Sequence, residues 1–111
     1  MKYIVAIMLV IATQAQAKLE KDYQKETCSG IMEYRLDDGS RVDCLTDEYA
    51  IEYDFANKWA EAVGQSLYYA EKTGKKPAIM LILKDEKQKK HLPKVKVLCK
   101  KYGIELVVIH P

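Results

Sequence analysis

Residues 78–83 read AIMLIL, an almost unbroken apolar run that directly follows Pro77. A short run of this kind, with no polar residue to face water, is typical of a strand that is buried on both faces. Such a strand belongs to the interior of a sheet on which helices pack. The run therefore predicts an α/β fold, and it sets the frame for the elements around it.

The patterns on either side of this run supply the remaining elements. Asp37-Asp38-Gly39 is a strong hairpin signal, and Thr46-Asp47-Glu48 is a second turn, so three short strands form a meander. The predicted order is αβββαβαβ, a mixed β-sheet flanked by helices. We predict helices over 18–29, 57–73 (capped by Asn57) and 92–102, and strands over 32–36, 40–45, 49–55, 78–83 and 104–109.

Residues 1–17 have the three parts of a secretory signal peptide. Lys2 gives a short positive start, residues 4–12 are apolar, and Ala15-Gln16-Ala17 is a cleavage site of the A-x-A type. The apolar run is shorter than the roughly 20 residues of a spanning helix, although an uncleaved anchor is the alternative. We predict a secreted or periplasmic protein whose mature chain, residues 18–111, is one domain outside the membrane.

The mature chain contains three cysteines in a compartment that permits disulfides. We expect Cys28 to pair with Cys44, because this bridge would link the first helix to the sheet and add about 3 kcal/mol of stability. Cys99 would then be a buried thiol or would pair with another chain. No C-x-x-C pair is present, which argues against a zinc site.

Charge is divided unevenly along the chain. Residues 18–71 carry six basic and thirteen acidic side chains, and residues 72–111 carry eleven basic and three acidic ones. The acidic half suits a cation and the basic half suits phosphate. The lysine-rich stretch 84–96 is accordingly either a nucleic-acid patch or a solvated turn, and lysines that only maintain solubility would produce the same division.

Carboxylates alternate with apolar residues on the second and third predicted strands. Glu52 and Asp54 share one face of the third strand, and Asp43 lies on the second. If the turn closes through residues 46–48, Asp43 and Glu52 are near neighbours. A divalent cation would relieve their repulsion, and oxygen ligands suit Mg²⁺ or Mn²⁺. The other interpretation is an exposed edge where both acids are solvated.

The helix after these strands has two different faces. Trp59 and Val63 belong to the predicted core stripe, whereas Lys58, Gln65 and Tyr69 lie within about 40° of one another on nearly the opposite side. The second group can bind phosphate and position a nucleotide strand, or it can be ordinary surface.

These features together resemble the PD-(D/E)XK nuclease superfamily over residues 32–109. Asp43 lies where that family has its metal-binding Asp, and Glu52 lies at the acidic position of the (D/E)-x-K motif. Gln65 and Tyr69, in the stretch EAVGQSLYYA, resemble the glutamine and tyrosine of the exonuclease branch. Glu33 resembles an early acidic residue that often joins the metal site.

The resemblance implies a restriction-endonuclease-like fold and a Mg²⁺- or Mn²⁺-dependent enzyme that hydrolyses the phosphodiester bonds of nucleic acid. It implies that Gln65 and Tyr69 position the substrate backbone. A chain this small lacks additional DNA-gripping elements, so a homodimer is a reasonable expectation. The implied metal ligands are Glu33, Asp43, Glu52 and Asp54.

The chain departs from the family pattern at one position. Two residues after Glu52 the family has a lysine that orients and activates the attacking water, and this chain has Asp54. Aspartate cannot supply that positive charge and would act as a third metal ligand. Lys58, close by in the next helix, is the expected catalytic replacement. The alternative is an inactive nuclease-like module that binds nucleic acid or a protein in the periplasm.

Overall fold

Three helices and five strands make up residues 17–111, the part of the chain that this computed structural model describes. All of the predicted signal peptide except Ala17 lies outside these residues. No helix within them combines the length and the hydrophobicity needed to cross a bilayer. The helices are α1 (Glu20–Thr27), α2 (Trp59–Thr73) and α3 (Leu92–Tyr102), and the strands are β1 (Ile31–Arg35), β2 (Arg41–Leu45), β3 (Tyr49–Phe55), β4 (Lys76–Ile82) and β5 (Glu105–Ile109).

The strands form one mixed sheet in the order β1-β2-β3-β4-β5. The first three pair antiparallel, as short turns allow, whereas β4 and β5 add in parallel after the crossovers that α2 and α3 provide. β4 begins at Lys76, two residues before the predicted start, and its residues Ile79, Leu81 and Ile82 are fully buried. The predicted α/β class with a mixed sheet and packed helices is confirmed.

The main core lies between α2, α3 and the parallel half of the sheet. Trp59 and Leu67 pack at its margin, so Trp59 contributes to the core as its stripe predicts. Burial of this apolar surface fixes both crossover helices against β4. The buried members of this cluster are Ala56, Ala62, Val63, Ile79, Leu81, Leu83, Val95, Cys99 and Ile104.

The start of α2 differs from the prediction, and the cap at Asn57 is wrong. The chain first makes a 3-10 turn, Ala56–Lys58, so that Lys58 takes the position before the helix. The Asn57 side chain instead accepts a hydrogen bond from Gln88 at 3.5 Å. A second 3-10 turn, Glu86–His91, contains Gln88 and leads into α3. The two turns therefore meet at one edge of the sheet.

A disulfide joins Cys28, directly after α1, to Cys44 of β2, as predicted. An eight-residue helix is not stable alone, so α1 depends on such attachments. The Thr27 hydroxyl is hydrogen-bonded to the Tyr53 hydroxyl at 2.7 Å. The Tyr23 ring packs edge-on against Phe55. α1 is thereby fixed over β3. The bridge fits an oxidising compartment.

The remaining cysteine, Cys99, is a buried free thiol in α3. Burial raises the pKa of this thiol, which keeps it protonated and unreactive. Of the two expectations for Cys99, the buried thiol is the one that this chain adopts.

We expect reduction of the disulfide to lower the free energy of unfolding by about 3 kcal/mol, because the open chain gains conformational entropy. Urea denaturation with and without a thiol reductant measures this change. The double variant Cys28→Ser/Cys44→Ser is the control, since it should be destabilised to a similar extent and should not respond to reductant. An equal response in the double variant would show that the bridge is not the cause.

Candidate functional site

β2 and β3 pair closely only near the turn that joins them, where Cys44 lies opposite Ile51. Farther on, the Asp43 carboxylate accepts a hydrogen bond from the backbone N–H of Tyr53 at 2.8 Å. A side-chain oxygen has therefore taken the place of a carbonyl in the ladder. Asp43 and Glu52 are the next residues along the two strands, where this pairing has ended. The two strands part at the position where these carboxyl groups lie.

The carboxyl group of Asp43 lies close enough to that of Glu52 to raise the pKa of Glu52. Burial, and then the contact with Asp43, raise the pKa of Glu52 to about 11. Burial also raises the pKa of Asp43. Glu52 is only 5% exposed and Asp43 is half-buried, so this pair is not a solvated sheet edge. The raised pKa favours the protonated form of Glu52.

Asp54, one strand repeat beyond Glu52, is also 5% exposed. Burial raises its pKa to about 7, with further increases from the charges of Glu20 and Glu61. One oxygen each of Glu52, Asp54 and Gln24 is buried without a hydrogen-bond partner among the described residues. Buried oxygens of this kind cost free energy, and they are uncommon in folded proteins. Their presence indicates a region suited to a proton, a water or a cation.

A groove of about 470 Å³ lies beside Asp43, between α1 and the sheet. On β1 its wall includes Glu33, whose φ of 54° lies in the left-handed region that favours glycine. Backbone strain of this kind is concentrated at functional sites. The lining residues are Leu19, Glu20, Lys21, Gln24, Glu33, Asp43, Phe55 and Lys58.

Lys58 supplies positive charge to this acidic groove. Its ammonium lies 3.9 Å from the Glu20 carboxylate and is close enough to Asp54 to oppose the rise in the pKa of that carboxyl. The chain thus brings a lysine to the groove from the turn after β3, although the strand itself carries Asp54. Of the predicted site residues, Glu33, Asp43 and Lys58 line the groove, and Glu52 contacts Asp43.

Tyr69 is buried at 8% exposure, and its predicted place on an exposed face of α2 is wrong. The hairpin of β1 and β2 folds over this end of α2, where Tyr69 packs with Val42 and Ala50. Nearby, the Tyr68 hydroxyl donates a hydrogen bond to Asp38. Burial raises the pKa of Tyr69, and the charges of the acidic pair raise it further, so its ring lies near that pair. Helical periodicity does not predict that the β1–β2 hairpin packs over this end of α2.

Gln65 is half-buried one turn before Tyr69 on α2. Gln24 and Glu20 are groove residues that the sequence pattern does not predict. Both lie on α1, and the sequence pattern of polar residues on this helix would be the same whether they faced water or a site. Only the placement of α1 by the disulfide and by Thr27 assigns them to the groove.

Within residues 17–111, no three His, Cys, Asp or Glu side chains converge in an arrangement that would hold a metal ion. The four predicted ligands therefore do not form one ready coordination set. The contacting pair Asp43 and Glu52 still offers oxygen ligands only. Mg²⁺ commonly takes one or two carboxylates and completes its shell with water and substrate phosphate, so the pair fits that pattern.

The site is thus a contacting acidic pair beside a groove, with a further buried carboxyl at Asp54 and a lysine at the rim. This combination can bind a cation and can place positive charge near a bound anion. No protein-family model, curated protein or solved structure matches this chain.

The raised pKa values predict that the metal-free protein becomes less stable as the pH rises. Asp54 has its usual pKa of 3.8 when unfolded and about 7 when folded, and Glu52 changes from 4.5 to about 11. Each group stabilises the fold most below its unfolded pKa and loses that contribution as the pH rises through the folded value. We expect a loss of at least about 1 kcal/mol between about pH 5 and about pH 8.

Urea denaturation in chelator at the two pH values measures this loss. Asp54→Asn is the informative variant, because an uncharged amide removes the titration of this group and should reduce the loss of stability between about pH 5 and about pH 7, leaving the part that Glu52 contributes. A wild-type protein that is more stable at the higher pH would contradict the burial and charge repulsion described for this site.

Proposed function

We propose that the protein is an exported, metal-dependent nuclease of restriction-endonuclease-like fold, which hydrolyses phosphodiester bonds in nucleic acid. The observation that carries the proposal is the contact between Asp43 and Glu52 where β2 and β3 part, beside a groove that Lys58 lines. The succession of elements and the resemblance to the PD-(D/E)XK superfamily support it. The disulfide supports a secreted or periplasmic location.

In this proposal Asp43 and Glu52 hold Mg²⁺ or Mn²⁺, and Asp54 and Glu33 assist. The donor set favours such an ion, because it consists of oxygen atoms and includes buried ones that lack a partner. A bound ion would polarise a phosphoryl oxygen and lower the pKa of a water. The hydrogen bond from Tyr53 N–H fixes one oxygen of Asp43 and leaves the other for the ion or for Glu52.

Lys58 stabilises negative charge on the substrate or orients the attacking water. Its ammonium supplies the positive charge that Asp54 cannot supply, and the salt bridge with Glu20 keeps it over the groove. Tyr69 and Gln65 act as positioning residues on α2. Tyr69 supports the acidic pair from the buried side. The half-buried Gln65 helps to set where the substrate backbone lies.

Cleavage of linear DNA, circular DNA or RNA in Mg²⁺ or Mn²⁺, and its loss in chelator, is the first test. We expect Asp43→Asn, Glu52→Gln and Lys58→Ala each to lower the rate by about 100-fold or more, since the first two remove proposed ligands of the ion and the third removes the positive charge beside the phosphate. Asp47→Asn is the matched control, because Asp47 is an exposed carboxylate in the turn between β2 and β3. Equal loss in the control would refute the assignment of these residues.

Glu52→Gln separates function from folding. Glu52 is protonated in the metal-free protein, so a neutral amide of similar shape should leave its thermal stability unchanged or increase it. The same variant should lose the stabilisation that Mg²⁺ or Mn²⁺ gives to the wild type, because a bound ligand raises the melting temperature only if the site binds it. A normal metal-induced shift in this variant would remove Glu52 from the site.

The second candidate is an inactive module of the same fold that binds nucleic acid or a protein partner. A specific observation favours it: the strand position that carries the lysine in the family here carries Asp54, whose carboxyl is buried. Salt-sensitive binding of nucleic acid without cleavage under any ion would support this candidate over the enzyme.

A further inference from the structure

Seven lysines around the second 3-10 turn and α3 form a basic area, which we call the lysine surface. All seven are exposed. The salt bridges found within residues 17–111 include none of them, although the neighbouring Lys89 is paired with Glu86 at 2.5 Å. The lysine surface therefore has charge available for an external anion. Its members are Lys84, Lys87, Lys90, Lys94, Lys96, Lys100 and Lys101.

The lysine surface adjoins the rim of the groove at Lys58. β3 and β4 are parallel, so the segments that follow them leave the same edge of the sheet. Gln88, between two of the lysines, donates a hydrogen bond to Asn57 at 3.5 Å. The ammonium of Lys94 lies 5.9 Å from the centre of the Trp59 ring. Asn57 and Trp59 flank Lys58, so two contacts connect the lysine surface to the groove.

The charges of the groove and of the lysine surface are opposite. Glu20, Glu33 and Asp43 make the groove repel a polyanion, and Lys21 and Lys58 offset only part of this charge. A phosphate chain that enters the groove must therefore gain its affinity elsewhere. Lysines that neutralise phosphates supply such affinity without regard to sequence, because each contact releases condensed counterions.

We propose that the lysine surface binds the phosphate backbone of nucleic acid and guides it past Trp59 and Lys58 into the acidic groove. This inference deepens the proposed function and rests on it for the fate of the substrate. The eleven residues of α3 extend about 16 Å at 1.5 Å per residue. That length corresponds to about five phosphates along one strand of a duplex. The surface thus contacts a short stretch of backbone on one side of the groove.

The test measures binding apart from cleavage. Fluorescence anisotropy with labelled single-stranded DNA, duplex DNA and RNA is recorded in chelator over a range of salt concentrations. The variant Lys87→Gln/Lys90→Gln/Lys94→Gln removes three charges near the groove. The control Lys72→Gln/Lys75→Gln/Lys76→Gln removes three charges at the end of α2 and the start of β4, which is the opposite end of that strand.

We expect the first variant to bind at least about tenfold more weakly, and the slope of log K against log salt to fall in magnitude by about three. The control should keep most of the wild-type affinity and slope, because its three lysines lie at the opposite end of β4. The two variants have the same net charge, so a difference between them cannot come from net charge. Equal losses in both would overturn the proposal, since net charge alone would then explain binding. Unchanged binding in the first variant would overturn it as well.

Binding to vesicles of anionic phospholipid tests whether the lysine surface binds a membrane and not nucleic acid. Binding to these vesicles by a wild-type protein that binds no oligonucleotide would overturn the proposal in favour of a lipid surface. The proposed nuclease activity is tested separately. If the protein binds oligonucleotides through the lysine surface but cleaves none in Mg²⁺ or Mn²⁺, the binding proposal stands and the proposed nuclease activity is refuted.

Discussion

The hydrogen bond from the Tyr53 backbone to the Asp43 carboxylate is the contact on which the site depends. It replaces a ladder bond between β2 and β3, and it holds one carboxylate inside the sheet where a carbonyl would otherwise lie. Beyond this bond the strands part, and Glu52 lies beside Asp43. On the neighbouring strand β1, Glu33 has a left-handed backbone conformation. The acidic pair therefore forms where a side-chain hydrogen bond replaces a regular backbone hydrogen bond between the strands.

Such a pair must be supported by the rest of the fold, because two buried carboxyl groups oppose folding at neutral pH. The support comes from elements on either side of it. The main core fixes β3 against β4 through α2 and α3, and the disulfide fixes α1 over β3. The buried Tyr69 lies on the α2 side, near enough to the pair for the charges of Glu52 and Asp43 to raise its pKa. This arrangement places the stabilising contacts away from the pair and leaves the groove open.

The sequence predicts the parts of this structure that follow from local patterning. The apolar run in β4, the turn residues around Gly39 and the glycines after α2 and α3 identify the α/β class, and the strand spacing brings Asp43 to Glu52. It does not predict the contribution of α1, because Glu20 and Gln24 look like any solvated helix positions until the disulfide orients the helix. It also misplaces Tyr69, since the burial of that residue depends on how the β1–β2 hairpin folds over α2. Long-range packing of this kind leaves no periodic trace.

The position of the positive charge connects the site to the basic half of the chain. Asp54 adds a buried acid to strand β3 where a lysine would have balanced the pair, so the balancing charge must come from outside the strand. Lys58 comes from the turn that follows β3, and that turn is also where the second 3-10 turn and α3 make contact. A lysine on the strand would act only on the pair. A lysine on this turn can act on the pair and can also extend the lysine surface, which includes Lys94, toward the groove. Under the proposed function, Lys58 would thus place the cationic element of the site at the edge of the sheet where a phosphate chain held by α3 would arrive.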